Sequence, residues 1–186
     1  MGRIETLIKN YERDVGLPWQ QNLAGPQKVW FAVYDKADER RLRARIGEFE
    51  VATKHTGHNW ISCDVTDAFA NWMSAEQYAT SYYDVPDDLQ TTLSEFVEYV
   101  SGIVAKALNS PGVDEQTVVA VYGVASLYGF MRISQLVSTV ERKIKGRLVI
   151  FFPGVHEGNS YRFLDAREGW NYLAVPITSD EGVRER

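Results

Sequence analysis

Four short runs rich in β-branched and aromatic residues, "KVWFAVYD" (28–35), "NWISCDV" (59–65), "TVVAVYG" (117–123) and "RLVIFF" (147–152), are separated by longer stretches of helical periodicity. Parallel strands cannot be joined by a tight turn, and a helix between them is the usual crossover. Strands covered on both faces read as continuous apolar runs of this kind. The alternation therefore predicts an α/β fold: a single domain with a mostly parallel central sheet and helices on both faces, Rossmann-like or degenerate P-loop-like.

The helical stretches are individually readable. Ile4, Leu7, Ile8, Tyr11 and Val15 predict a docking helix over 2–15, closed by Gly16 and Pro18. "KADERRLRARIGEFEVATKHTG" puts Leu42, Ile46 and Phe49 on one stripe and stops at Gly57, which predicts a single charged helix. Thr66 or Asp67 is placed to cap a helix entering "AFANWM". The longest periodic segment runs through Leu89, Leu93, Phe96, Val100, Ile103 and Ala107 before Asn109, Pro111 and Gly112 break it, and "RISQLVSTVERKI" is a further helix. No helical signal follows the fourth strand. "YRFLDA" and "NYLAVPI" predict a C-terminal strand hairpin at the sheet edge, so the domain is expected over 1–178 with 179–186 as a flexible polar tail.

Composition excludes several function classes. A net charge of −5 argues against a general polyanion binder, whose surface carries a basic excess. The lone Cys63 cannot form an internal disulfide, which suits a reducing compartment. "MGRIETLIKNYERD" has no basic start followed by an apolar run, and no stretch approaches the roughly 20 apolar residues of a membrane span. A soluble, cytoplasmic protein is expected.

The chemistry-bearing motifs are incomplete. "YGVASLYGFMR" (122–132) follows a strand, and Gly123 and Gly129 imitate the spacing of a phosphate loop. The Lys-Ser or Lys-Thr pair that would hold phosphate and magnesium is missing. Gly123 is then simply the residue that lets the chain leave the strand. His55 and His58 lie near a helix end without the cysteines, carboxylates or further histidines of a zinc set, and read as surface residues; no metal or cofactor is expected. His156 with Glu157, beside Ser160, defines a hydrolase reading that lacks an orienting group.

Two surfaces are left. Arg40, Arg41, Arg43 and Arg45 crowd the start of the charged helix: either a solvated face balanced by Asp38, Glu39, Glu48 and Glu50, or a site for a carboxylate, phosphate or nucleic acid. Tyr161, Arg162, Asp165, Arg167, Trp170 and Tyr172 combine aromatics with charge, the composition of interface anchors and equally of a packed edge strand.

Taken together, "VYDKADERRLRARIGEFEVATKHTGH" (33–58), "DVTDAF" (64–69), "YGVASLYGFMRISQLV" (122–137) and "FFPGVHEGNSYRFLDAREGWNYLAVPI" (151–177) resemble the BrxB family of bacterial BREX phage-exclusion systems. The resemblance implies a small cytoplasmic component of a multi-protein antiviral complex that also contains an alkaline-phosphatase-like PglZ protein, a BrxC ATPase and a PglX methyltransferase. The family offers no catalytic residue to carry onto this sequence. A non-enzymatic adaptor is expected, with PglZ as first partner and the 161–172 block as its docking candidate. A nucleotide- or nucleic-acid-responsive module built on the arginines is the alternative, and a hydrolase around His156 the third reading.

Overall fold

The computed structural model describes residues 2–166 and 169–180. Helix α1 (Arg3–Val15) forms as its periodicity predicts, and buries Ile4, Leu7, Tyr11 and Val15 against the sheet. Strand β1 (Val29–Tyr34) is buried along its whole length, because its two sets of alternate side chains enter two different cores. Trp30, Ala32 and Tyr34 face α1; Val29, Phe31 and Val33 face the opposite layer.

The charged segment that follows is not one helix. After a 3-10 turn, α2 (Glu39–Ala44) and α3 (Ile46–His55) are separated at Arg45, whose φ of −120° and ψ of 11° leave the helical well. The break aims the Arg45 guanidinium in two directions: it forks onto Glu48 at 2.7 and 2.8 Å and also reaches Glu5 of α1. Gly57 closes α3 with a φ of +85°, a conformation that costs glycine little.

Strand β2 (Asn59–Asp64) leads to α4 (Ala68–Ala75), α5 (Ala79–Asp84), a 3-10 turn over Pro86–Thr91, and α6 (Leu93–Leu108). Asp67 takes the cap position of α4, although its side chain makes no capping bond. The long helix thus begins at Leu93 instead of Leu89, since Pro86 fixes a tighter turn ahead of it. Strand β3 (Thr117–Tyr122), α7 (Ile133–Val140) and β4 (Arg147–Glu157) complete the alternation.

The main sheet has the order β2-β3-β4-β1, all pairs parallel. α1 and α3 cover one face and α4, α6 and α7 the other, as the alternating runs predict. Beyond this the C-terminal part departs from expectation. β4 has 11 residues against six in β1, so its outer half overruns the sheet. There it pairs antiparallel with β5 (Ser160–Phe163), which pairs in turn with β6 (Trp170–Asn171). The hairpin therefore grows from a middle strand. The sheet edge is taken by β7 (Val175–Ile177), parallel to β1. Gly154 marks the point where β4 leaves the main sheet, and a Cβ there would strike the Arg162 carbonyl and the Phe152 ring. Of the expected tail, Asp180 is tied to α1 through its carbonyl, which accepts from Asn10 Nδ2 at 3.3 Å, as the Thr178 carbonyl just ahead of the tail does at 2.8 Å; residues 181–186 lie outside the described residues.

Candidate functional site

Ligands of open parallel sheets enter beside the carboxyl ends of the strands, where connections to opposite faces part. Over β1, β2 and β3 those ends are occupied by a chain of internal contacts. The Tyr34 hydroxyl donates to Glu39, Glu39 Oε1 lies 3.7 Å from Arg43 Nε, and Arg43 Nη2 is 3.2 Å from Asp64 Oδ1 and also donates to the Thr66 hydroxyl. Asp64 Oδ1 accepts the Thr66 amide at 2.9 Å and its hydroxyl. Burial works against the Asp64 carboxylate, but the Thr66 hydroxyl and amide and the Arg43 guanidinium outweigh it and hold the group below its usual range. Burial, reinforced by the neighbouring Glu39 carboxylate, pushes the Tyr34 phenol far up.

Gly123 sits in the middle of this chain with a φ of +80°, and any side chain there would collide with Thr66 and Asp64. The glycine-rich segment after β3 folds into a 3-10 turn that buries Val124 and Leu127. It is a packed turn, as its missing lysine suggests.

Two clefts flank the hairpin. The first, about 630 Å³, is polar and lined by Arg3, Asp35, Lys36, His156, Arg162 and Asp165 among others. Its charges are mutually paired: Arg3 bonds Asp38 at 2.8 Å and Asp35 at 3.2 Å, Lys36 pairs with Asp165, and Arg162 lies 3.6 Å from Glu157. The second, about 1,020 Å³, lies between the start of α6, the turn ahead of α7 and the hairpin, with Leu93, Val97, Tyr128, Phe130, Phe163 and Trp170 in its walls. Its character is aromatic: Tyr128 and Phe163 are 5.7 Å apart, and Trp170 stacks on Tyr172 at 4.7 Å.

The residues singled out in the sequence separate accordingly. Tyr161 is corrected from surface to core: only 2% exposed, it packs on Phe31 at 4.6 Å and donates its hydroxyl to the Ala174 carbonyl at 2.9 Å. Its neighbour Arg162 points to the other side of the strand and is 43% exposed, as alternation requires. Asp165 is exposed, Trp170 is half-buried, and half-buried Tyr172 donates its hydroxyl to Glu141 at 2.6 Å. Arg167 lies outside the described residues.

Of the four arginines, Arg41 bonds Asp38 at 3.1 Å, and Arg43 and Arg45 are engaged as described; Arg40 is exposed. Three of the four arginines are thus engaged by intramolecular carboxylates, in keeping with the solvated, charge-balanced face, and the four do not converge on one anion site. His156 stands opposite Tyr161 in the antiparallel register, and Glu157 opposite Ser160. Alternation sends these two pairs to opposite faces of the ribbon, so His156 and Ser160 do not converge. His55 is exposed, whereas His58 is not a free surface residue: its ring stacks on Trp19 at 3.7 Å.

Two features were missed in the sequence. Arg147, 5% exposed at the amino end of β4, is held over Trp19 and Trp30 at 4.7 and 5.8 Å, with Trp19 also carrying His58. The tryptophan spacing of this cluster, spread over the chain, carries no local signal. The second is a charge asymmetry: the 51 residues between Lys54 and Lys106 hold eight carboxylates and no lysine or arginine. Counting charge by segment would have shown it.

Among the described residues no group of three or more His, Cys, Asp or Glu side chains is placed to hold a metal ion, and no helix is long and apolar enough to cross a membrane. The class that fold and site define is a parallel-sheet α/β protein whose strand ends are closed by internal ion pairs and whose open surface is an aromatic hairpin. A family model described as BREX protein BrxB matches residues 64–177, more than half of the chain, and the chain belongs to that family. It is accordingly a component of a BREX phage-defence system. No curated protein and no solved structure matches it.

Proposed function

We propose that the protein is a non-enzymatic adaptor of its defence system, and that it docks another BREX protein in the aromatic cleft beside the hairpin. The observation that carries this reading is the cleft of about 1,020 Å³, walled by Tyr128, Phe163 and Trp170, with exposed Arg132 among its lining residues, whereas Arg162 faces the polar cleft on the other side of the strand. Large rigid aromatics next to arginine are the residues that anchor interfaces, because they bury much apolar area at little entropic cost. PglZ is the partner to test first, with the BrxC ATPase and the PglX methyltransferase as the others.

Co-expression and co-purification with each of these proteins tests the reading. The expected result is retention of at least one partner by the wild type. Arg132→Ala should weaken it by about 2 kcal/mol, roughly thirtyfold in Kd, with the thermal midpoint kept, and Trp170→Ala by a similar amount in a protein that still unfolds cooperatively. A protein that purifies alone beside all three sinks the adaptor reading.

The alternative, a nucleotide- or nucleic-acid-responsive module, draws on Arg40 and Arg41, which face solvent on α2. Saturable binding of nucleotide or duplex DNA at low salt, lost on reversal of these two charges, would favour it over the adaptor.

A further inference from the structure

The stretch from Ser74 to Glu95 contains no buried residue, although α5 and the 3-10 turn after it are regular structure. Ala79, Tyr82 and Leu89 are its partly buried apolar side chains packed against the core. Its other large side chains face outward: Tyr78 is 59%, Tyr83 72% and Val85 49% exposed. Scattered exposed apolar residues need no explanation, but three within eight positions, on a segment with no buried residue, leave much of its apolar surface uncovered.

The charge of this face indicates what covers it. Glu76, Asp84, Asp87, Asp88, Glu95 and Glu98 surround or continue it, and among the described residues none of the six pairs with a cation. Exposed Tyr99 extends the same mixture along α6. The asymmetry is regional: outside 55–105 the chain carries 20 cationic against 17 acidic side chains, so its entire negative excess lies in this region. Carboxylates alone are at home in water and need no partner. Aromatics exposed among them give an incoming chain apolar contact, while the surrounding charge selects its sign.

We infer that the 76–99 face binds a cationic segment of a partner protein, one that presents lysine or arginine beside apolar anchors. This contact is chemically distinct from the hairpin cleft, which it adjoins at Leu93 and Val97 of α6, and it excludes nucleic acid as the occupant because like charges repel. The face offers no basic residue at which a phosphate backbone could be neutralised.

The test uses the full chain and a synthetic amphipathic peptide of about 16 residues with lysine and leucine at helical spacing, read by fluorescence anisotropy. Matched peptides carry glutamate for lysine or serine for leucine. The wild type should bind the lysine–leucine peptide saturably and neither control. D87K/D88K should weaken binding about tenfold, and Y83S, which changes no charge, about fivefold. E12K/E115K makes the same charge change elsewhere and should stay within about twofold. Trp170→Ala removes a hairpin anchor and should leave peptide binding intact, so failure of this inference and failure of the adaptor reading are told apart. All substituted side chains here except Trp170 are exposed, and unchanged thermal midpoints verify folding. Equal loss in D87K/D88K and E12K/E115K, or an unaffected Y83S, overturns the inference. A concentration-dependent dimer in sedimentation that D87K/D88K dissolves would assign the face to a second copy, and also overturn it.

Discussion

The Tyr161 hydroxyl donates a 2.9 Å hydrogen bond to the carbonyl of Ala174, thirteen residues on, and both groups are buried. This bond links the hairpin to the segment that enters β7. Tyr161→Phe keeps the ring on Phe31 and leaves the Ala174 carbonyl without its donor in a dry site. A loss of about 1–3 kcal/mol is expected in urea unfolding, since an orphaned buried acceptor costs more than an average hydrogen bond contributes. An unchanged midpoint would show that the carbonyl finds water.

Gly123→Ala tests the strand-end network. The substitution strains a φ of +80° and drives a methyl into Thr66 and Asp64. A cost of about 1–3 kcal/mol from the backbone alone is expected, with more from the displaced Arg43–Asp64 pair. Calorimetry reads the total, and Arg43→Ala combined with Gly123→Ala should cost less than the sum of the two single changes, because they damage one network.

Acid sensitivity should be traceable to His58. Burial, with Arg147 adding repulsion, lowers its folded pKa below the ordinary 6.5, against bonding to Gln116 that favours the charged form. The unfolded chain then binds the proton first, so stability is full above about pH 6.5 and falls as pH drops from there toward the folded value. His58→Phe keeps a ring on Trp19 without titrating. Its thermal midpoint should be flatter than that of the wild type between about pH 7.5 and 5.5. Asp64, whose ordinary value is 3.8, acts only at lower pH, so the two windows separate.

Cys63 is 5% exposed, and burial, with the adjacent Asp64 charge, pushes its thiol up to about 11. A thiolate-specific reagent at about pH 8 should label the native protein far more slowly than the unfolded chain, because both access and the thiolate fraction are low. Labelling at equal rates would contradict the packing around β2.

The elements were legible in the sequence wherever one periodicity ruled. β1 reads as a strand because Val29 to Tyr34 is apolar on both faces, and α6 because its stripe repeats over four turns. What was not legible depends on pairing at long range. Glu39 and Glu48 are readable as local partners of Arg43 and Arg45, but Asp64, 21 positions from Arg43, and Glu5, 40 positions from Arg45, are not. Tyr161 and Trp170 are similar letters in one block, yet strand alternation and the place of Ala174 bury the first and leave the second half open. Local patterns fix faces; they do not say what will cover them.

The overrun of β4 has a mechanical consequence. The same strand is a middle rail of the sheet from Arg147 to Pro153 and one arm of the hairpin from Gly154 to Glu157. A load applied to the hairpin by a bound neighbour is transmitted along a continuous backbone into the centre of the molecule, where β3 and β1 grip it from both sides. The hairpin is therefore a stiff handle rather than a swinging flap, and whatever is fastened to it is fastened to the whole sheet.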